Sequence, residues 1–514
     1  MRRQDIRLLA MARQGDSASR LEAGRRYLAG VDGFPRHIKT GISYLTDPSV
    51  VDLPAAARII AEGLALEDIV LQQQQGALGR AALSGSSAAR VKLAAWLLVR
   101  YGRVEEGTRW LESAGDSQAA RDALAVLRDA PALDRLPKVL RILGASGDLD
   151  GLAVAVIATR DALAQGDSEQ VAAGLQTALA LTTNLSAELV TLVADAIKLA
   201  ERKSRPLGAI DPDVIEQTLD RSISQGDRDA SYTLGRALCG IPCGTLSPSA
   251  LTASPNLRKG VALLLRAADA GCDDAWLHLY RLHGDHRLSV ANPQMARFCL
   301  EKAALAGQPE AQRRLGALML RASDCLADTE QAIQWLHRAA NANDVHARTL
   351  LSSLVLPLEG CDDDASWAAG LVEREDPWLA LRLRLSRHFG LTKLEALCVD
   401  PAQGLRPWGL VVGMNPFTTQ TRLSAARAIP ATSPTATEVA KQAASFFGRE
   451  SPLQVTFEGD MRRRSLRQLR LFERHGLKEA MFFANATSTT LESLRLGPKW
   501  AFRAKEALQM ALAA

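Results

Sequence analysis

Apolar residues recur along this chain in short groups spaced three or four positions apart, as they do on one face of a helix. The clearest example is LEKAALAGQPEAQRRLGALML, which begins at Leu300 and has two apolar groups around a polar hinge at Gly307, Gln308 and Pro309. Similar layouts occur 36 residues earlier and 36 residues later. The pattern predicts helix pairs that are joined by tight turns and repeated along the chain.

Seven alignment columns, each with a spacing of 36 residues, define the repeat. They are Gly260/Ala296/Ala332, Leu264/Leu300/Leu336, Ala267/Ala303/Ala339, Ala268/Ala304/Ala340, Gly271/Gly307/Asn343, Ala275/Ala311/Ala347 and Leu279/Leu315/Leu351. Alanine lets two helix backbones approach closely, and leucine fills the groove beside them. The Gly/Gly/Asn hinge column suits the left-handed residue that ends a helix. Because one helix pair cannot bury its own apolar face, the copies are expected to stack as a solenoid.

These residues resemble the Sel-like repeats, which are relatives of the tetratricopeptide repeats. The resemblance rests on AQRRLGALML and QAIQWLHRAANAN, which supply Ala311, Leu315, Gly316, Ala332, Trp335, Ala339 and Ala340. It covers residues 224–357, and further copies are expected within 15–120; the family's aromatic column and Gly-x-Gly loop are mostly lost. The resemblance implies a mainly α fold, an α-solenoid of stacked antiparallel helix pairs, and a role in protein–protein interaction.

Changes in the pattern divide the chain into four segments. Residues 1–120 are predicted as helical repeats, 121–220 as degenerate helical hairpins, 221–377 as Sel-like repeats and 378–514 as a small, basic α/β domain. In the last segment RPWGLVVGMNPF, PLQVTFEGD and EAMFFANATS are β-branched or aromatic runs bounded by Gly, Pro or Asn, which predicts strands. Helical runs alternate with them, and residues 413–434 are predicted as a loop.

Charge and composition add a contrast between the two ends of the chain. The formal net charge is only +5, but the residues from Leu381 onward hold 20 Lys+Arg and 10 Asp+Glu, so the segment before them is mildly acidic. No run approaches the ~18 uninterrupted apolar residues of a membrane span. Polar residues interrupt the apolar residues at the start of the chain, whereas a signal peptide has a continuous apolar segment there. With seven scattered cysteines, an odd number, this composition favours a reducing, cytoplasmic location.

The helix predicted over MRRRSLRQLRLFERHG has a basic stripe of four arginines, at Arg463, Arg467, Arg470 and Arg474. A competing apolar side is marked by Leu466, Leu469 and Phe472. The stripe suits contact with phosphate or nucleic acid, because such clusters neutralise backbone charge. The alternative is a solvated helix face, or one that contacts the acidic solenoid, since no aromatic stacking pattern accompanies the arginines.

The remaining candidate chemistry is weaker. A Cys/His group lies around the second repeat, at Cys272, His278, His283, His286 and Cys299. Zinc needs paired ligands at hairpin spacing such as C-x-x-C, and Cys239 and Cys243 have three residues between them. Buried thiols and loop histidines are therefore predicted, with no metal and no cofactor. Glu458 and Asp460 in FEGD are predicted as a strand end and turn rather than a carboxylate site. P-loop, G-x-G-x-x-G, H-E-x-x-H and G-x-S-x-G patterns are absent.

Three functions are compatible with these features. The first is a non-enzymatic adaptor or scaffold that binds another protein through the solenoid surface, with the C-terminal domain as a second interaction module. Its candidate surface residues are His278, Gln312, Arg313 and Arg348. The second is a nucleic-acid-associated regulator that uses the basic C-terminal domain, and the third is an enzyme with its active site in that domain. The sequence favours the adaptor and leaves the partner and the oligomeric state open.

Overall fold

The protein is known from a computed structural model, which describes residues 3–129, 135–145, 147, 149–182, 184–203, 210–244, 246–413, 426–448, 458–485 and 504–513. The chain forms two compact units, Met1–Cys272 and Asp273–Ala514, which we call unit 1 and unit 2. Helices dominate both units, and a small sheet lies in unit 2. This confirms the predicted fold class, mainly α with a small C-terminal α/β region.

Unit 1 consists, in its described part, of helices in succession. Their bounds are α1 (Arg3–Arg13), α2 (Ser17–Ala29), α3 (Ile38–Leu45), α4 (Pro54–Gly63), α5 (Leu66–Leu71), α6 (Gln75–Leu83), α7 (Ser87–Tyr101), α8 (Val104–Ser113), α9 (Gln118–Asp129), α10 (Leu136–Gly144), α11 (Gly151–Gln165), α12 (Ser168–Leu181), α13 (Ala187–Lys203), α14 (Pro212–Ser224), α15 (Arg228–Leu238) and α16 (Leu257–Asp269). Neighbours such as α7 and α8, or α15 and α16, pack as pairs. One continuous core, mostly of buried Ala, Leu, Val and Ile, joins the helices from α2 to α15, and Leu263 of α16 packs against it.

Unit 2 begins with helix pairs and ends with the sheet and the helices around it. Its helices are α17 (Asp274–Gly284), α18 (Pro293–Leu305), α19 (Pro309–Ala322), α20 (Leu326–Asn341), α21 (Val345–Ser353), α22 (Asp362–Glu373), α23 (Pro377–Phe389), α24 (Lys393–Cys398), α25 (Pro401–Gly404), α26 (Pro434–Gly448), α27 (Met461–His475) and α28 (Lys505–Ala513). Its strands are β1 (Leu405–Arg406), β2 (Gly409–Val412) and β3 (Arg427–Pro430).

The turns between paired helices have the conformation that the repeat predicts. Gly271, Gly307 and Asn343 all have positive φ, at +89°, +92° and +70°. A left-handed residue ends one helix and lets the next begin within a few residues, and glycine adopts it without strain. The prediction for this column is confirmed, including its asparagine.

The sheet is antiparallel, with the order β1-β2-β3. Leu410 of β2 pairs with Leu405 on one side and with Ile429 on the other. All four residues of β2 are buried. A Cβ at Gly409 would lie 2.2 Å from the carbonyl oxygen of Ile429, so this strand approaches β3 too closely for any other residue.

Two elements of the C-terminal region differ from the sequence prediction. The run EAMFFANATS is not a strand where it is described: Glu479–Met481 forms a 3-10 turn, and Phe482 and Phe483 are buried against Phe472. Aromatic residues made this run resemble a strand, but they serve as core residues of a turn. The predicted loop 413–434 contains β3, whose short sequence RAIP gave no strand signal. Residues 414–425, and the predicted strand at 452–457, lie outside the described residues.

The C-terminal elements of unit 2 share cores with the helix pairs that precede them. One core joins α22 and α23 to β2, β3, α26 and α27. A second joins α19, α20 and α21 to Trp408 and Val411 near β2 and to Leu508 and Ala511 of α28. The predicted domain boundary at residue 377 therefore falls at the start of α23, a helix whose buried residues belong to the first of these cores.

Candidate partner-binding surfaces

The basic helix predicted from the sequence is α27. It begins after Asp460, whose carboxylate accepts a hydrogen bond from the backbone N–H of Arg463 at 2.9 Å, and it ends at Gly476, which has φ +65°. Its buried residues are Gln468, Leu471 and Phe472. Asp460 is therefore a helix cap, the role that a short polar side chain takes at this position.

The four arginines of the predicted stripe are in two different situations. Arg467 forms an ion pair with Asp376 at 3.1 Å, and Arg474 forms one with Glu375, so both bind the turn between α22 and α23. Arg463 and Arg470 are exposed, and neither forms an ion pair within the described residues. The structure thus brings two of the four arginines into ion pairs within the chain, although Arg474 stays exposed, and leaves Arg463 and Arg470 without one among the described residues.

The sequence predicted that the apolar side of α27 contains Leu466, Leu469 and Phe472, and this prediction is wrong for the two leucines. Leu466 and Leu469 are 46% and 44% exposed, whereas Phe472 is buried. The stripe that packs inward consists of Gln468, Leu471 and Phe472, at helical spacings of 3 and 4. The helix has apolar residues on two sides, and only the tertiary packing decides which side is buried.

Two of the four residues predicted on a partner surface are in the interior. Gln312 and Arg313 are only 7% and 3% exposed. Gln312 Nε2 donates to the carbonyl oxygen of Ala304 at 3.1 Å. Arg313 forms an ion pair with Asp344 at 2.9 Å and also donates to the carbonyl oxygen of Ala511 in α28. These side chains connect helices of unit 2 and are not available to a partner.

The other two predicted residues remain accessible. His278 in α17 is half-buried, and Arg348 in α21 is exposed. Arg348 Nε donates to the carbonyl oxygen of Ala340 at 3.0 Å, and Nη2 donates to Asn343. These contacts hold the guanidinium against the end of α20, and the residue stays exposed.

The Cys/His group does not come together as a metal site in the described part of the chain, where no three His, Cys, Asp or Glu side chains are arranged to hold an ion. No disulfide joins any of the seven cysteines, all of which lie in the described residues. Burial raises the pKa of Cys239, Cys243 and Cys299 to about 11, which keeps these thiols protonated. His283 Nδ1 lies 2.8 Å from the carbonyl oxygen of Val290.

Glu458 of FEGD takes part in a buried ion pair. Arg382 donates to its two carboxylate oxygens at 2.7 and 2.8 Å, and Arg464 lies 3.2 Å from it. Arg382 also donates to the carbonyl oxygens of Ala396 and Val399. The ion pair of Glu458 with Arg382 therefore connects α23, α24 and α27, a role that the sequence did not predict.

This network predicts that stability depends on pH. Burial raises the pKa of Glu458, but hydrogen bonding to Arg382 and the charges of Arg382 and Arg464 lower it more, so the pKa lies below its ordinary value of 4.5. A carboxyl whose pKa is lowered by folding stabilises the folded state above the unfolded-state pKa. That stability is lost as the pH falls below 4.5 and through the folded-state pKa.

We therefore expect urea unfolding, followed by circular dichroism, to show a falling free energy of unfolding from pH 5 to about pH 3. Glu458→Gln, which cannot titrate, should be less stable at neutral pH and show a shallower fall. An identical pH dependence in both proteins would contradict the assignment.

A groove that the sequence did not predict lies in unit 2, with a volume of about 840 Å³. One wall consists of residues from α20 and α21, and the other consists of residues from the end of β3 through the first turns of α26. The lining is His337, Ala340, Asn341, Arg348, Leu351, Ser352, Pro407, Ala431, Thr432, Ser433, Pro434, Thr437, Glu438 and Lys441. Its walls come from three separate parts of the sequence, so no local pattern could have revealed it.

The groove continues into a smaller cavity of about 370 Å³ beside β1. The two share Pro407, Ala431, Thr437 and Lys441, and the smaller one is lined mainly by apolar atoms. Arg348 and Lys441 provide positive charge in the larger cavity, against one carboxylate, Glu438. Burial lowers the pKa of His337, which favours its neutral form.

The family model described as Sel1 repeat matches residues 251–272, 279–308 and 309–344. Residues 251–344 carry Sel1 repeats. Most residues of the repeat columns lie within these matches, whereas Ala275, Ala347 and Leu351 lie outside them; the third match contains α19 and α20. The copies predicted upstream of Leu251 stay a prediction. Sel1 repeats support the role of a protein-interaction scaffold.

Two solved structures are similar to this chain. A protective antigen of uropathogenic Escherichia coli strains that displays an SLR fold is 14% identical, with a TM-score of 0.28, over 91% of this chain and 94% of that one. A Sel1 repeat protein from Oxalobacter formigenes is 18% identical, with a TM-score of 0.25, over 66% of this chain and 88% of that one. No curated protein sequence matches this chain. No helix in the described residues is long and apolar enough to cross a membrane.

The groove joins the Sel1 repeats to the C-terminal elements. His337, Ala340 and Asn341 belong to the third Sel1 match, and Arg348 lies just beyond it. The facing residues, from Ala431 to Lys441, follow the sheet. One wall of the groove is therefore formed by repeat helices. The other wall belongs to the segment 378–514, which the sequence predicts as a separate α/β domain.

Proposed function

We propose that this protein is a non-enzymatic scaffold that binds an extended, acidic segment of another protein in the groove of unit 2. The observation that carries the proposal is the groove itself, which is open, has about 840 Å³ of space and holds more positive than negative charge. In this proposal the elements from β1 to α26 are the second interaction module, because they contribute the wall of the groove that faces the repeat helices.

The shape and lining of the groove support a peptide as the ligand. Apolar positions such as Leu351, Pro407 and Ala431 lie among hydroxyl groups and charges, and the apolar cavity beside β1 extends the space. Binding sites for peptides combine apolar pockets with a few polar groups that fix orientation. Arg348 and Lys441 would attract carboxylates and increase the rate of association.

The groups that could support catalysis serve other purposes where they are described. Glu458 is held by two arginines, and the thiols of Cys239, Cys243 and Cys299 have a raised pKa. Enzymes usually have titratable groups that are shifted toward neutral pH inside a cleft. The carboxylate and thiols named here are shifted away from neutral pH, which favours a binding role.

Peptide selection tests the proposal directly. A display library of random peptides should yield ligands enriched in Asp and Glu, with affinity that falls as salt rises. Lys441→Glu and Arg348→Glu should each weaken binding of a selected peptide by about tenfold, measured by fluorescence polarisation. Lys478→Glu, at an exposed lysine outside the groove lining, is the matched control and should stay within about twofold.

Two outcomes would contradict the proposal. The first is selection of peptides without an acidic bias, and the second is unchanged affinity in both groove variants when circular dichroism shows that they are folded. A second candidate function, binding of nucleic acid, is favoured by the exposed Arg463 and Arg470. This second function would be supported if a DNA or RNA oligonucleotide bound the full chain, and if the double variant Arg463→Glu/Arg470→Glu lost that binding while its peptide affinity stayed unchanged.

A further inference from the structure

We propose that the outer face of α22 is a self-complementary surface, through which two copies of this chain pair as an antiparallel, two-fold symmetric dimer. The face consists of Asp363, Trp367, Gly370 and Arg374, which follow one another at spacings of 4, 3 and 4. Such spacings place all four residues on one stripe of the helix. Arg374, directly after the last helical residue, keeps helical dihedral angles, so the stripe continues through it.

The centre of the stripe has a projecting residue next to a notch. Trp367 is 69% exposed, which is unusual for the largest apolar side chain. A Cβ added at Gly370 would meet nothing within 4 Å among the described residues. Glycine inside a helix is unfavourable relative to alanine, and no neighbour in the described part of the chain requires it here. The notch does allow another helix to approach closely beside the tryptophan.

The ends of the stripe carry opposite charges. Asp363 and Arg374 are both exposed, and neither forms an ion pair within the described residues. Two other charges of α22 are matched within the hairpin, since Asp362 pairs with Arg387 and Glu373 pairs with Arg384. Asp364 also forms no ion pair among the described residues, but it lies off the stripe, whereas Asp363 and Arg374 lie on the same stripe as Trp367 and Gly370.

The order of these residues fits a single two-fold axis. Trp367 and Gly370 lie symmetrically about the midpoint between Ala368 and Ala369, and Asp363 and Arg374 lie symmetrically about the same midpoint. When two such helices run antiparallel, Trp367 of one copy meets Gly370 of the second copy. Asp363 then meets Arg374 of the second copy, about 8 Å along the helix axis from the centre. Each contact occurs twice, as an isologous interface requires.

The neighbouring like charges do not oppose this pairing. Asp364 and Glu373 lie about a quarter turn away from the stripe, on opposite edges of the contact. A single helix pair buries less than the ~800 Å² per partner of a standard interface, so the dimer should be weak. We expect a dissociation constant of about 10–100 µM, with the tryptophans as its energetic centre.

Sedimentation equilibrium of the full chain, at concentrations on both sides of that range, tests the proposal. Trp367→Ala should weaken the dimer at least tenfold, and so should each of the single swaps Asp363→Arg and Arg374→Asp. The double swap Asp363→Arg/Arg374→Asp should restore dimerisation to within about threefold, because the ion pair forms again with reversed polarity. Leu305→Ala, at a residue with the same 69% exposure in α18, is the matched control and should leave the constant unchanged.

Gly370→Gln separates loss of pairing from loss of folding. Glutamine fills the notch and should abolish the dimer, yet its higher helix propensity should raise the melting temperature of the dilute monomer by about 2 °C. A chain that stays monomeric at all concentrations would overturn the proposal. So would single charge swaps that dimerise as well as the unaltered chain, or a double swap that fails to recover.

Discussion

Replacing Glu395 by alanine is expected to lower the free energy of unfolding by about 3–5 kcal/mol, because it leaves a buried guanidinium without its counter-charge. Arg427 of β3 donates to the two carboxylate oxygens of Glu395 at 2.7 and 2.9 Å, and each side chain is only 1% exposed. Arg427 also donates to the carbonyl oxygen of Gly390. The pair thus connects β3 to α24 and to the end of α23.

Glu395 has a second role that the substitution also removes. Its carboxylate accepts a hydrogen bond from the backbone N–H of Thr392 at 2.9 Å, which completes a capping box at the start of α24. Burial raises the pKa of Glu395, but the charge and hydrogen bonds of Arg427 lower it more, so the carboxyl is ionised at neutral pH. Alanine removes the charge and the cap together.

Urea denaturation, followed by tryptophan fluorescence and circular dichroism, measures the effect. Glu373→Ala is the control, because Glu373 pairs with Arg384 at 2.5 Å near the surface and such pairs contribute less than about 1 kcal/mol. A double variant, Glu395→Leu/Arg427→Met, should be more stable than Glu395→Ala, since it removes both charges. An equal loss of stability in Glu395→Ala and Glu373→Ala would contradict the assignment.

The repeat could be predicted from the sequence because its information is local. The hinge residues Gly271, Gly307 and Asn343 each end a helix, and each has the left-handed conformation that its residue type favours. Neighbouring columns of alanine and leucine fix which side of each helix is buried. Helix pairs of this kind need little information from distant parts of the chain.

The surfaces could not be predicted in the same way, because they depend on contacts between distant segments. Arg313 looked like a polar surface residue, but α28 supplies the carbonyl oxygen of Ala511 to it from 198 positions away. Leu466 is exposed because α27 packs through Leu471 and Phe472 instead. Arg427 lies in the segment 413–434, which the sequence predicts as a loop. Nothing in the sequence of that segment indicates a buried ion pair.

Arg348 shows what the sequence could still contribute to the candidate site. The sequence predicts it on a partner surface because it is a polar residue of a repeat helix, and in the structure it lines the groove. Lys441, from α26, completes the positive side of that groove, and no repeat column refers to it. The sequence can therefore suggest one wall of a site, whereas the facing wall depends on how the sheet and α26 pack onto the repeats.

Gly316→Ala is expected to destabilise the chain by about 1–3 kcal/mol, the cost of overpacking, although alanine favours helices more than glycine does. Gly316 lies in α19 where that helix crosses α20. A Cβ there would lie 2.9 Å from the carbonyl oxygen of Ala332 and 2.8 Å from Leu336 Cγ. The backbone oxygen cannot move without shifting α20, so the two helices must separate.

Gly370→Ala provides a matched comparison, because Gly370 is also inside a helix of unit 2 but a Cβ added there meets no described atom within 4 Å. This substitution should stabilise the dilute chain by about 0.5–1 kcal/mol through helix propensity alone. The two variants contain the same chemical change, so opposite signs in urea denaturation would assign the cost of Gly316→Ala to the helix crossing. If both variants gained stability, the close approach of α19 and α20 would not be what requires glycine at position 316.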